Sequence, residues 1–129
     1  MADACPGVTD ATSGPAATIL ELLGRGASDT IVITDVAGRV TWISANVEAL
    51  SGYAPAELVG WPVAELYPGG PEEARRIMRR LRAGTPLRDY LTTFPARGGR
   101  AIAVRCAMAL LRDDRGIATG TVGVLRILT

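Results

Sequence analysis

The most constraining part of this chain is residues 30–60, where two short apolar runs flank a turn and a broken series of helical signals follows. The runs are residues 30–34 and 40–43, with Asp35, Val36, Ala37 and Gly38 between them. Aspartate bonds its own backbone and glycine tolerates positive φ, so the stretch is predicted to be a β-hairpin. Residues 46–50 then read as one or two helical turns stopped by Gly52. Pro55 is placed to open a further short helix, since proline suits a first helical turn.

Downstream the period changes twice. Ala74, Ile77, Met78 and Leu81 recur at helical spacing within residues 71–83, with Arg75, Arg76, Arg79 and Arg80 on the other side, which predicts one amphipathic helix. Glu72 and Glu73 precede the arginines by a turn and offset them. The charged side therefore reads as a solvated face rather than a nucleic-acid patch. Gly84, Thr85 and Pro86 end the helix, and residues 87–94 form a strand bounded by Pro95. After Gly98-Gly99, the bulky Ile102, Val104, Cys106, Met108 and Leu110 alternate with Arg105 and the alanines 101, 103, 107 and 109. That strand should turn its bulky face to the helices and let another element approach its alanine face. A turn at residues 113–116 leads to the last strand, residues 118–127. Strand, strand, helices, three strands predicts an α+β fold with a five-stranded antiparallel sheet.

The N-terminal part divides in two. Residues 1–14 are polar and aperiodic and are expected to be a mobile tail. Residues 15–25 are expected to form a capping helix: Thr18 and Glu21 have capping-box spacing, and Ile19, Leu20, Leu22 and Leu23 make it strongly apolar before Gly24. Such a helix either lids its own sheet or serves as the contact of a homodimer.

Two absences narrow the chemistry. The chain has no histidine, and every basic residue is arginine. The usual general base, the commonest metal ligand and a Schiff-base lysine are all missing. Asp35, Glu48 and Glu57 are the carboxylates an enzyme would draw on, but Asp35 has a turn to form and the glutamates have no nucleophile beside them. A net charge of +1 argues against nucleic-acid or membrane surfaces, and no apolar run approaches a bilayer span. With 48% hydrophobic and 21% charged residues, 129 residues fit one globular domain. Cys5 in the tail and Cys106 in the long strand make a poor disulfide framework, and the expected compartment is cytoplasmic.

In order, Thr34-Asp35 at a strand end, the Gly38-Arg39 turn, Trp42 in the second strand, Gly52-Tyr53, Glu57-Leu58 and Gly60 resemble the pattern of the PAS sensor domains. Leu66-Tyr67-Pro68 is similar to the end of that family's short helices, residues 72–83 to its long helix, and Arg97-Gly98-Gly99-Arg100 to a hairpin between its later strands. The resemblance covers residue 18 to the last residue, with the domain core at residues 28–129.

The resemblance implies a non-catalytic sensory and protein-interaction domain of a cytoplasmic signal-transduction protein. It would sense a small ligand or partner and relay the change through a homodimer to an effector, such as a sensor kinase or cyclic-dinucleotide enzyme. Haem-binding members use a histidine that this chain lacks. Light-sensing flavin members need a cysteine where this chain has Gly60-Trp61-Pro62-Val63. Redox-sensing FAD members tend to carry tryptophan at the positions of Met78 and Leu87 and an amide at Pro95. Trp42 and Trp61 keep FAD as an alternative, while the main expectation is no cofactor and no metal. The interior is then either a filled core or a cavity for a small apolar ligand. Its expected lining is Leu50, Leu66, Ile77, Leu81, Leu91, Val104, Cys106 and Leu125, each on a stripe expected to face inward. Family members often close on Asp-Ile-Thr, where this chain has Ile127-Leu128-Thr129, and a longer parent protein is expected.

Overall fold

The computed structural model describes residues 29–128. The expected tail (1–14) and capping helix (15–25), with Ile19, Leu20, Leu22 and Leu23, lie outside the described residues. Within them the chain runs β1 (Thr30–Asp35), β2 (Val40–Ile43), α1 (Val47–Ser51), α2 (Pro55–Leu58), a 3-10 turn (Val63–Leu66), α3 (Gly70–Arg82), β3 (Leu87–Pro95), β4 (Ala101–Arg112) and β5 (Ala118–Ile127). The strands form one antiparallel sheet in the order β2-β1-β5-β4-β3. The last strand is therefore central and lies against the first.

Local chemistry accounts for the connections. In the β1–β2 turn, Asp35 Oδ1 accepts the Ala37 and Arg39 N–H groups at 2.9 and 3.0 Å. Gly38 supplies the positive φ, 84°. Asp113 repeats the device between β4 and β5, accepting from Arg115 and Ile117 at 2.9 Å each. Helix α1 ends on Gly52 in the left-handed conformation, its N–H donating to the Glu48 carbonyl. Helix α3 has Glu72 and Glu73 in its first turn and Arg79, Arg80 and Arg82 in its last, complementing the helix dipole at both ends.

Helices and sheet enclose one main core, which includes Val40, Leu50, Leu58, Ile77, Leu81, Phe94 and Val104. The opposite sheet face carries a second cluster of Leu111 and Val122 with Ile31, Ile33 and Ala109 packed against it. The register places Trp42 beside Ile33, Ile33 beside Val122 and Val122 beside Ala109. Trp42 thus stands on this outer face, because side chains alternate along a strand.

Two expectations are corrected. Leu91 does not face inward; it is 61% exposed. On β3 Leu87 pairs with Met108 and Tyr90 with Cys106, three residues of one strand against two of the other. Asp89 takes up the extra residue at a φ of 54°, which aspartate tolerates. The bulge sets the parity so that Leu87, Tyr90 and Phe94 turn inward and Leu91 outward. Glu73, expected on a solvated face, is buried at 6% exposure. Its Oε1 accepts the Gly69 N–H at 2.7 Å and its Oε2 the Tyr90 hydroxyl proton.

Candidate ligand site between sheet and helices

A cavity of about 40 Å³ lies between the sheet and the 3-10 turn. β1 contributes Val32 and Thr34, β3 Thr92 and Phe94, and β5 Thr121 and Leu125. β4 adds Val104, Cys106 and Met108, with Leu66 and Tyr67 closing the helical side. Of the residues expected here, Leu66, Val104, Cys106 and Leu125 line it. Leu50 is buried in the main core without reaching the cavity. Ile77 and Leu81 line a second, open groove of about 280 Å³ beside α3. Leu91 is on the other side of the sheet. Sequence reasoning missed Thr34, Thr92, Thr121, Tyr67 and Met108. It selected bulky apolar residues, whereas the period-2 alternation from Val32 and Leu125 carries Thr34 and Thr121 to the same face.

Cavity and groove share Thr34, Val63, Tyr67, Met108 and Thr121 as a common wall. Across that wall the Tyr67 hydroxyl donates to Met108 Sδ at 3.3 Å. Thr34 and Thr121 hydroxyls are 2.7 Å apart and bond each other, and the Thr121 N–H donates to Thr34 Oγ1 at 3.3 Å. Thr92 Oγ1 is buried without a hydrogen-bond partner among the described residues.

Among the described residues, no charged side chain lines the cavity. Burial, with a smaller contribution from the Glu73 charge, pushes the Cys106 thiol up to about 12. Burial likewise raises Tyr67, with Cys106, Glu73 and Tyr90 adding to it. Both groups stay protonated at neutral pH, so neither offers an anionic nucleophile. Among the described residues no group of three or more His, Cys, Asp or Glu could hold a metal ion, and no helix is long and apolar enough to cross a membrane. The cavity presents an apolar surface with few hydrogen-bonding atoms.

The cavity is small beside the range of about 300–1,000 Å³ usual for drug-sized ligands. Neither tryptophan lines it. Trp42 is on the outer face, and Trp61 packs against Tyr53 with ring centroids 5.9 Å apart.

Of the carboxylates an enzyme would draw on, Asp35 and Glu57 have structural work. Asp35 closes its turn. Glu57 Oε2 accepts the Ala54 N–H at 3.0 Å, and its Oε1 pairs with Arg97. The Ala54 bond first, and Arg97 second, hold the Glu57 carboxyl below the usual range. Arg97 also stands over the Tyr53 ring, 4.7 Å from its centroid, and donates to the Gly52 carbonyl at 3.1 Å. The β3–β4 hairpin is thereby pinned to the short helices.

The comparisons agree with this architecture. A family model described as PAS fold matches residues 18–128. Among solved structures, the chain is similar to the PAS domain of a protein from Colwellia psychrerythraea, at 20% identity and a TM-score of 0.70, covering 80% of this chain and 88% of that one. It is similar to a light-oxygen-voltage domain studied with a flavin analogue, at 19% identity and a TM-score of 0.67, covering 88% and 84% of the two chains. A fungal LOV domain photoreceptor matches at 16% identity and a TM-score of 0.66, with 95% of each chain covered. At these identities the likeness is one of fold. No curated protein matches the sequence significantly. With the family model spanning nearly the whole chain, the sheet order in place and the helices closing one face, the chain belongs to the PAS fold family.

Proposed function

We propose that this domain is a non-catalytic sensor that holds a small ligand on the helical side of its sheet and passes the resulting change through a homodimer to an effector in a cytoplasmic signalling protein. The observation that carries the reading is the uncharged cavity sharing a wall with the open groove, which sets an apolar interior space directly behind a surface that solvent reaches. The apolar cluster on the outer face, with Leu111 and Val122 buried in it, supports the relay, because an element packed over it would transmit a change in the sheet. The segment carrying Ile19, Leu20, Leu22 and Leu23 is the contact we assign to it.

Two measurements test the proposal. Mass spectrometry of material released from the purified, denatured chain is expected to find a small organic molecule, and an absorption spectrum should be free of visible bands. Flavin bands would replace the reading with that of an FAD-binding redox sensor. Light scattering is expected to show a dimer that Leu20→Glu or Leu23→Glu converts to monomer. A dimer in both variants would remove that contact.

A further inference from the structure

We infer that the groove beside α3 takes a short aliphatic monocarboxylate, with its chain directed at the Tyr67–Met108 wall and its carboxylate at Arg75 and Arg82. The inference rests on the sensor reading and specifies its ligand. Among the described residues, two charged ones line the groove, and both are arginine. Arg75 and Arg82 are exposed, and among the described residues neither belongs to an ion pair. They lie seven positions apart on one helix, so two turns of α3 separate them by about 10 Å along its axis. Arginine side chains are long enough to converge over such a gap, and their planar fork matches a carboxylate.

Between the two arginines the helix presents Met78, and Ile77 and Leu81 continue the groove toward the sheet. That surface suits an alkyl chain. The inner end is the shared wall, beyond which the lining carries no charge. A second carboxylate there would be desolvated without a partner, so the site should reject a dicarboxylate of the same length. At about 280 Å³ the groove is slightly below the range of about 300–1,000 Å³ usual for small-molecule sites, which favours a short chain over a long one.

The test is an amide chemical-shift titration of the full chain with octanoate, octan-1-ol and octanedioate as probes. Octanoate is expected to bind saturably, moving the amides of Val63, Tyr67, Met78 and Met108, with the alcohol and the diacid each at least about fivefold weaker. The Arg75→Gln/Arg82→Gln variant changes exposed positions and should keep its fold. It is expected to lose about tenfold in octanoate affinity and almost nothing for octan-1-ol. Added salt should weaken the octanoate complex more than the alcohol complex. Equal affinities for octanoate and octan-1-ol, unchanged by the double variant, would overturn the carboxylate assignment and leave the ligand-sensor reading standing. Equal affinities for octanoate and octanedioate would overturn the inward direction of the chain. No saturable shift with any probe would overturn the site, and the identity of whatever molecule the purified protein releases would then decide the sensor reading separately.

Discussion

Tyr90 on β3 and Glu73 on α3 are joined by a hydrogen bond from the tyrosine hydroxyl to Oε2, while the other oxygen of the same carboxylate accepts the Gly69 N–H at 2.7 Å. A buried carboxylate is tolerated where its oxygens are satisfied, and here both are. The pair ties the start of the long helix to the edge strand of the sheet. Further along α3, Ile77 and Leu81 provide the apolar contact. The polar clamp fixes where the helix begins, and so helps set the height of the space between helices and sheet.

Tyr90→Phe removes the hydroxyl that donates to Glu73 Oε2 and leaves that buried oxygen without this bond. A loss of about 1–3 kcal/mol is expected by urea denaturation, with the m-value unchanged. A change below about 0.5 kcal/mol would show that the bond is absent in solution.

Alkaline pH should weaken the fold through its buried acids. The Cys106 thiol is pushed up to about 12 from a reference of 9.0. The folded chain then holds a proton that the unfolded chain has lost. Stability that is complete below pH 9 falls as the pH rises toward 12, by up to about 1.4 kcal/mol per pH unit. Tyr67 and Tyr90, both raised chiefly by burial, act in the same direction above their reference of 10.0. Denaturation midpoints between pH 8 and 11 should fall more steeply for the wild type than for Cys106→Ala. Parallel slopes would mean that the thiol reaches solvent.

Much of this arrangement is legible in the sequence. Turn chemistry located the hairpins, because Asp35 and Asp113 act on neighbours two and four residues away. Alternation located β4, and the i, i+3, i+4 stripe located α3. The failures were non-local. The apolar stripe that points Leu91 inward does not reveal the extra residue at Asp89, which only pairing with β4 exposes. Glu73 looked solvated because its partner Tyr90 is seventeen residues away. The cavity threonines were passed over because composition marks them as polar, whereas Thr34 and Thr121 satisfy each other across two strands that are distant in sequence.

Thr92 is a different case from that pair. Its hydroxyl is buried with no partner among the described residues, so Thr92→Val removes a desolvated group of nearly the same shape. The variant is expected to be about 1 kcal/mol more stable, a rise of roughly 4 °C in Tm for a domain of this size. Thr121→Val, which breaks the bond to Thr34, should lose about 1 kcal/mol. If thermal unfolding shows Thr92→Val destabilised as well, the Thr92 hydroxyl has a partner in solution.

Gly120 stands opposite Asp35 where β5 meets β1. A Cβ built at Gly120 would overlap the Thr34 carbonyl oxygen, with the Thr34 carbonyl carbon 2.9 Å away and Asp35 Cα 3.2 Å away. All three atoms are backbone and cannot swing aside as a side-chain tip would. Gly120→Ala must therefore part the two strands, and it also loosens the register in which Thr34 faces Thr121. Overpacking in a well-packed interior typically costs about 1–3 kcal/mol and occasionally more, and a rigid obstacle places this variant at the upper end. Gly123→Ala is the control on the same strand: its Cβ would meet Met108 Cγ at 3.6 Å, an ordinary contact with a flexible side chain. Chemical denaturation should find Gly120→Ala at least about 2 kcal/mol less stable than Gly123→Ala. Equal stabilities would mean that β1 and β5 sit further apart, and that the wall they give the cavity is looser than described.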